Sequence, residues 1–227
     1  MKSNILTALA VAVLLLTAIS CEDQQTPKAA ATEVETPKKN ILKETIEEYD
    51  LRNDSVIFRS ATIENFDQDG HSVDIYWIGP KRDTTLRFYR KYDANKKLVG
   101  AEYFEKGDVE PTLDTVYTNA EGLKVEVSMN SKREIVWKST IATDGEGNEV
   151  ARVYENRKGA YRGLDSTFFD DKNRMVKGFY KNAKGQKKKI KTYEYTKEDQ
   201  YQNWTERKMF VNDTLQQRHI RILQYAI

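Results

Sequence analysis

Apolar and polar residues alternate with a period of two along much of the second half of the chain. The clearest case lies between residues 123 and 141, where a polar turn at 130–133 separates two alternating segments. The apolar positions are Leu123, Val125, Val127 and Met129 before the turn, and Ile135, Trp137 and Ile141 after it. Alternation of this kind is typical of a strand with one buried face. The pattern predicts a β-hairpin whose apolar side packs in the core.

Similar units recur at nearly constant spacing. Each joins a turn rich in Asp, Asn and Gly to strand-like segments, and the units start at Tyr92, Tyr117, Ala142, Phe169 and Tyr195. Such intervals suit two strands of about seven residues plus two turns. Alternation is poor at 187–195, so part of the sheet is expected to be wet on both faces. We expect an all-β fold, an antiparallel β-meander of repeated hairpins in a long twisted or curled sheet.

The segment 41–50 shows a different pattern. Leu42, Ile46 and Tyr49 fall at i, i+4 and i+7, which predicts one short N-terminal helix ahead of the sheet. Length and composition suit a single β-rich domain over residues 41–227 that begins with this helix.

The first forty residues carry the features of an export signal. Lys2 precedes a nearly continuous apolar stretch from Ile5 to Ala18, shorter than the roughly 20 residues that span a bilayer and typical of a secretory signal peptide. Residues 21–40 are rich in Thr, Pro, Ala, Glu and Lys, as in a flexible tether. We therefore expect a signal peptide at 1–20 and a lipidated cysteine with a disordered tether at 21–40.

The residues Ala18-Ile19-Ser20-Cys21 resemble the lipobox of bacterial lipoproteins, although Ala18 replaces the usual leucine. The resemblance implies cleavage before Cys21 and lipidation of that residue, which is the only cysteine in the chain. The alternative is a chance thiol in a discarded leader. Glu22 and Asp23 resemble the acidic export signal of Bacteroidota lipoproteins. They imply a lipid anchor in the outer membrane, at the cell surface rather than on the periplasmic face.

The repeated units also resemble the YD-type repeats of bacterial surface proteins and of uncharacterised Bacteroidota lipoproteins. The resemblance rests on Tyr92-Asp93 with the Lys-Leu-Val at 97–99, and on the Asn-Trp-Thr-Glu-Arg at 203–207, where Gln202 replaces a glycine. It covers about residues 92–210. It implies an architecture and no particular activity.

Overall charge selects no partner, because removing residues 1–20 takes away only Lys2 and leaves 36 of the 37 basic residues against 35 acidic ones. One segment departs from this balance, since 172–191 contains nine basic and no acidic residues. We predict a patch for anionic glycans or lipopolysaccharide phosphates, formed by Lys187, Lys188, Lys189 and Lys191. The alternative is a solvated edge strand whose lysines prevent aggregation. Nucleic acid is not an expected partner of an exported protein.

Asp followed by Ser or Thr and then Ala, Ile, Leu, Val, Met or Thr occurs five times, more often than residue frequencies predict. The pattern resembles the acceptor site of the general O-glycosylation system of Bacteroidota. The implied acceptors are Ser55, Thr84, Thr115, Ser166 and Thr214. The alternative is turn chemistry, in which the aspartate closes a turn and the next residues start a strand. Two of these sites lie in similar stretches, LDTVYTN at 113–119 and LDSTFFDD at 164–171.

No pattern identifies a catalytic residue, a cofactor or a metal site. The two histidines lie in different units, and His219 is expected to be a half-exposed strand residue. Asn65, Asp67 and Asp69 have the spacing that opens a calcium loop, but Tyr76 stands at the twelfth position in place of Glu. A polar hairpin turn is the favoured interpretation.

The sequence therefore predicts a non-enzymatic binding or structural module that is held at the membrane by a lipid. Two alternatives stay open. One is a glycan hydrolase that uses two carboxylates, and the other is an immunity-like repeat protein. Nothing in the sequence indicates the oligomeric state.

Overall fold

The structure is a computed structural model, and it describes residues 40–52 and 55–226. The signal peptide, Cys21 and the tether lie outside the described residues. All regular elements of the described residues are β-strands, and no helix among them is long and apolar enough to cross a membrane.

Fourteen strands follow one another along the chain. Their bounds are β1 Ile41–Arg52, β2 Ser55–Phe66, β3 Ser72–Ile78, β4 Thr84–Tyr92, β5 Leu98–Glu105, β6 Thr112–Thr118, β7 Lys124–Met129, β8 Ile135–Thr143, β9 Glu149–Asn156, β10 Tyr161–Phe169, β11 Met175–Asn182, β12 Lys187–Glu198, β13 Trp204–Val211 and β14 Thr214–Tyr225. Each strand pairs antiparallel with the next one in the chain, which confirms the predicted all-β antiparallel meander.

The sheet closes on itself, because β1 pairs with β14. The pairing runs from Ile41 opposite Tyr225 to Asp50 opposite Gln217. The prediction of a long twisted or curled sheet did not specify this closure. Closure leaves none of the fourteen described strands at an edge, so the interpretation of the lysines in β12 as protection of an exposed edge is wrong.

The predicted helix at 41–50 was also wrong, because these residues form β1. Spacing of i, i+4 and i+7 in only three apolar residues is weak evidence for a helix. Glu44, Ile46 and Glu48 lie on one face, whereas Thr45 and Tyr49 lie on the other. Pairing with both β2 and β14 outweighs the local helical pattern.

The hairpin turns form two rims. The rim where β1 begins, called the N-terminal rim, has turns at 67–71, 93–97, 119–123, 144–148, 170–174 and 199–203. In each of these the first residue is Asp or Asn, and its Oδ1 accepts the N–H groups two and four residues later. The fourth residue has a positive φ. The opposite rim repeats this turn at 130–134, 156–160 and 182–186.

Exposure alternates along much of β14 and identifies the inner face of the barrel. In β14, Gln217 and His219 are buried, whereas Gln216, Ile222 and Gln224 are exposed. The register extends the sheltered face of β14 to residues on the neighbouring strands: Met209 and Arg207 in β13, Tyr193 in β12, and Asp50 and Glu48 in β1. We take this sheltered face as the inner one.

The β7–β8 hairpin is present as predicted, but its two faces do not divide into apolar core and polar surface. Val125 and Ser128 point to opposite faces, and both are buried. Strand pairing from β7 through β14 places Glu126 and Ser128 of β7 on the same side of the sheet as the inner face of β14. The interior of the barrel is therefore rich in charged and hydroxyl groups.

Candidate functional site

Two groups of polar side chains lie on the inner face. The first, called the Arg152 cluster, lies on β6 to β9. The Arg152 guanidinium donates two hydrogen bonds of 2.7 Å to the two carboxylate oxygens of Glu149, and it also donates to Glu126 and to the Ser139 hydroxyl. Lys124 forms a second ion pair with Glu126, at 2.9 Å. The basic group at the centre of this cluster is therefore paired on every side.

The pKa values in the Arg152 cluster reflect this pairing. Burial alone raises the pKa of Glu126, but hydrogen bonds and charges from Arg152 and Lys124 outweigh it and hold the pKa below its usual range. Burial raises the pKa of Asp114, opposed by a hydrogen bond from Ser128. Asp114 is therefore the one member of this region whose charged form is disfavoured.

The duplicated LDT and LDS stretches place their aspartates on this inner face. Asp114 lies in β6 and accepts the Ser128 hydroxyl, while Asp165 lies in β10 and accepts the Tyr154 hydroxyl at 2.6 Å. The alternative interpretation, in which the aspartate closes a turn, is wrong for Asp114 and Asp165, because both lie within strands. Each copy is a strand that presents one carboxylate to a neighbouring hydroxyl.

The second group, called the His219 cluster, lies on β12 to β14 and β1. Arg207 Nε donates to His219 Nδ1 at 3.1 Å, so this ring nitrogen is an acceptor. The proton is then on Nε2, which lies 3.2 Å from Gln217 Oε1. Gln217 in turn donates to Asp50 at 2.9 Å. His219 was predicted to be half exposed, but only 2% of its surface is accessible.

The His219 ring is uncharged at neutral pH. Burial, followed by the positive charges of Arg207 and Lys191, lowers its pKa to about 3. A hydrogen bond from Gln217, opposed by burial and aided by Arg59 and Arg52, lowers the pKa of Asp50. The cluster therefore holds a neutral imidazole between a cation and an ionised carboxylate.

Arg207 is held by aromatic rings in place of a carboxylate. Its guanidinium carbon lies 4.5 Å from the ring centres of both Tyr193 and Trp204 and 6.0 Å from that of Tyr195. Among the described residues no carboxylate lies within ion-pair distance of Arg207. Cation–π contacts orient the guanidinium but leave its charge available to an anion.

A cavity of about 660 Å³, called the basic cavity, opens beside the His219 cluster. Its charged lining consists of five basic and two acidic side chains, namely Arg52, Arg59, Lys189, Lys191 and Arg207 with Glu48 and Asp50. The two acids are already engaged, since Asp50 pairs with Arg52 and Arg59, and Glu48 accepts the Ser60 hydroxyl. A net positive charge therefore remains in the cavity.

A second cavity of about 1050 Å³ lies next to the first. It shares Lys189, Lys191, Tyr193 and Asn212 with the basic cavity and adds Lys188 and Arg162. The predicted lysine patch is thus divided: Lys188, Lys189 and Lys191 line cavities, whereas the Lys187 ammonium lies 4.7 Å from the ring centre of Phe179.

The five predicted acceptor hydroxyls do not come together. Ser55 and Thr214 are the first residues of β2 and β14 and are exposed, and Thr115 is exposed in β6. Thr84 begins β4 and Ser166 lies inside β10, and both are partly buried.

The segment at 67–71 forms the predicted hairpin turn. Asp67, Asp69 and His71 bring ligand atoms within 4.8 Å of one another. However, Asp67 accepts backbone N–H groups and Asp69 pairs with Lys96. These contacts satisfy the carboxylates without an ion, and we assign no metal site here.

Sequence reasoning missed Arg207, Gln217 and His219 as a group. The sequence indicates only that Gln217 and His219, two residues apart in a strand, lie on the same face of β14. Arg207 lies beside them because β13 pairs with β14, and the sequence does not reveal that pairing.

No protein-family model matches the chain, and no curated protein is similar to it. The solved structures that match the chain include two proteins of low sequence identity and low TM-score. A porin-like protein from Bacteroides uniformis is 9% identical, covers 83% of this chain and 99% of its own, and superposes with a TM-score of 0.42. A DUF1329 family protein from Desulfovibrio piger is 12% identical, with coverages of 82% and 87% and a TM-score of 0.36.

Proposed function

We propose that this chain is an exported, lipid-anchored β-barrel that binds an anionic glycan or the phosphate groups of lipopolysaccharide without transforming them. The observation that carries the proposal is the basic cavity. Lys189, Lys191 and Arg207 line it without a carboxylate partner among the described residues. A concave site with a net positive charge concentrates anionic ligands.

The shape and chemistry of the cavity suit a short oligosaccharide. Its volume of about 660 Å³ falls in the usual range for small-molecule sites. Arg207 offers a planar fork of donors for a sulfate, phosphate or carboxylate, and the Tyr193 ring beside it offers an apolar surface for a sugar ring. Lys189 and Lys191, which are exposed, add two further positive charges to the lining.

A hydrolase would need two carboxylates of different pKa on either side of the substrate. In the basic cavity the pKa of Asp50 is lowered and the carboxylate is bound by three donors, so it is a poor proton donor. Asp114 has a raised pKa, but the cavity of about 350 Å³ that it lines does not include Glu126. The cavity of about 1050 Å³ is lined by two carboxylates, but Glu149 pairs with Arg152 and Asp165 accepts the Tyr154 hydroxyl. The geometry favours binding over hydrolysis.

The outward face of the barrel supports anchoring by a lipid in place of insertion. On this face Glu206 pairs with Arg218 and Lys197, and Lys138 pairs with Glu155. Charged residues at the lipid-facing midplane of a membrane barrel are strongly destabilising. We infer that water surrounds the barrel and that Cys21 supplies the anchor in the outer membrane, with surface display.

We also propose O-glycosylation at Ser55, Thr84, Thr115, Ser166 and Thr214. Exposure of Ser55, Thr115 and Thr214 in the folded barrel makes these three the more accessible acceptors. Intact-mass measurement of protein purified from its native host is expected to show added sugar mass on a lipidated chain. A mass equal to that of the lipidated polypeptide alone would remove this proposal.

Isothermal titration calorimetry with a sulfated tetrasaccharide tests the binding function. The wild-type barrel is expected to bind it, and the double variant Lys189→Ala, Lys191→Ala to bind at least tenfold more weakly. Lys177→Ala with Lys181→Ala is the matched control. It removes the same charge from the neighbouring strand β11, but from the outward face of the barrel. Equal affinities of the two double variants would contradict the proposal.

A further inference from the structure

The opposite rim carries a second basic feature that extends beyond the basic cavity. Three successive turns on this rim begin with Asn130, Asn156 and Asn182, and all three use the same side-chain-closed geometry. The turns are followed along the rim by the start of β12. Together they carry eight basic residues and one acid, Glu134. The eight, called the basic rim, are Lys132, Arg133, Arg157, Lys158, Lys184, Lys187, Lys188 and Lys189.

All eight side chains of the basic rim belong to exposed residues. None of them forms an ion pair within residues 40–52 and 55–226. Glu134, the only acid of these turns, accepts the side-chain amide of Asn130. The charge of this arc is therefore not compensated by its own neighbours.

The N-terminal rim shows that the turn geometry does not require such charge. Its six turns contain nine acidic and four basic residues, a net charge of −5. Three of the four basic residues are paired: Lys96 with Asp69, Lys172 with Glu198, and Arg174 with Asp170 and Glu198. The same turn is thus built with opposite charge at the two ends of the barrel.

The spacing of the turns sets the size of a partner. Neighbouring strands lie about 4.8 Å apart, so successive turns on one rim are about 10 Å apart and three of them span about 20 Å. A single phosphate or sulfate contacts one turn only. A chain of regularly spaced anionic groups contacts all three turns at once. Because the groups are linked, binding at one turn raises the affinity at the others.

We propose that the basic rim binds an extended anionic polysaccharide, which lies across the turns at 130–134, 156–160 and 182–186. Lys188 and Lys189 belong both to this rim and to the lining of the cavities, so one end of the chain reaches the cavities. The three turns themselves contain no residue of the basic cavity. Binding at the turns rests on the proposed function and extends it from a short glycan to a polymer. The proposed partner is a polysaccharide in solution or on a cell surface. An anionic lipid membrane is the alternative partner, and lipid vesicles test it.

The test uses a sulfated polysaccharide of more than 20 sugar units, immobilised, with the full barrel domain in solution. The rim variant replaces one basic residue in each turn: Lys132→Glu, Arg157→Glu and Lys184→Glu. The control variant makes the same change of net charge at the N-terminal rim: Lys96→Glu, Lys97→Glu and Lys172→Glu. Thermal unfolding checks that both fold, and the matching Gln variants replace any that do not.

The rim variant is expected to lose at least tenfold in affinity for the polysaccharide, and the control variant less than threefold. Equal losses would mean that only net charge matters and would overturn the proposal, as would no loss in either. Vesicles of 30% anionic lipid are expected to bind weakly, and tight vesicle binding that depends on the rim would also overturn it. The sulfated tetrasaccharide distinguishes the rim from the basic cavity. The rim variant is expected to bind the tetrasaccharide as tightly as wild type, whereas the double variant Lys189→Ala, Lys191→Ala is expected to bind it more weakly.

Discussion

The Arg152 cluster and the basic cavity lie on the same inner face, yet they use their charges differently. In the Arg152 cluster the guanidinium meets two carboxylates and the remaining carboxylate is hydrogen-bonded to a serine. In the basic cavity Lys189, Lys191 and Arg207 meet aromatic rings, a neutral histidine and open space. A barrel that buries so many polar groups stabilises itself where charges are paired and remains open to ligands where they are not.

The largest effect is expected from Arg152→Ala. It leaves Glu126 and Glu149 without their shared partner, and removal of one member of a buried ion pair typically costs about 3 kcal/mol of the free energy of unfolding. Urea unfolding measures the loss. Arg157→Ala, which removes an exposed and unpaired arginine, is the control and changes stability by less than about 0.5 kcal/mol. Similar losses in both variants would abolish the distinction between the paired and unpaired regions.

The pH dependence of stability tests the buried neutral histidine. The pKa of His219 is about 3 in the folded barrel and near its usual value of 6.5 in the unfolded chain. Between these values the unfolded chain binds a proton that the folded barrel does not, so stability falls as the pH falls. The expected loss between pH 7 and pH 5 is about 2 kcal/mol.

His219→Gln is the variant that isolates this contribution. The glutamine oxygen accepts from Arg207 and its amide donates to Gln217, but the side chain does not titrate. Its urea unfolding is expected to lack the part of the pH dependence that His219 supplies. An unchanged slope between pH 7 and pH 5 would show that the histidine is protonated in the folded barrel.

Asp114→Asn is expected to stabilise the barrel at pH 7. Burial raises the pKa of Asp114, so its ionised form destabilises the folded state above that pKa, and the penalty disappears as the pH falls towards the ordinary value. Asparagine keeps an acceptor for Ser128 without the charge. Asp114→Ala removes the acceptor and is expected to destabilise. Urea unfolding at pH 7 and pH 4.5 checks both variants.

Lys191→Ala is expected to have the smallest effect on stability, less than about 0.5 kcal/mol, because the side chain is exposed and makes no ion pair among the described residues. Its affinity for a sulfated tetrasaccharide is expected to fall severalfold. A loss of stability larger than that of Asp114→Ala would show that Lys191 stabilises the fold and is not a free charge of the basic cavity.

Much of the fold was readable from the sequence because local chemistry determines it. Asp or Asn at the start of each turn, followed by a residue of positive φ, fixes the hairpins at 93–97, 119–123 and 144–148. The β1 strand was misassigned because its partner β14 lies at the other end of the chain. Closure of a barrel depends on that long-range pairing, which local periodicity does not contain.

The interior was harder to predict than the strands. Asp114 and Asp165 were recognised as a repeated motif, but whether they close turns or face hydroxyls depends on the register of β6 and β10 with their neighbours. The lysines at 187–191 were recognised by charge alone. Their division between the rim, the cavities and the Phe179 ring depends on the bulged pairing of β11 with β12.

A crystal structure of the barrel with a sulfated tetrasaccharide tests directly whether the basic cavity binds an anionic glycan. We predict a sulfate group in the basic cavity, within hydrogen-bond distance of Arg207 and of Lys189 or Lys191. A tetrasaccharide bound elsewhere, with the cavity containing only water at saturating ligand, would contradict it.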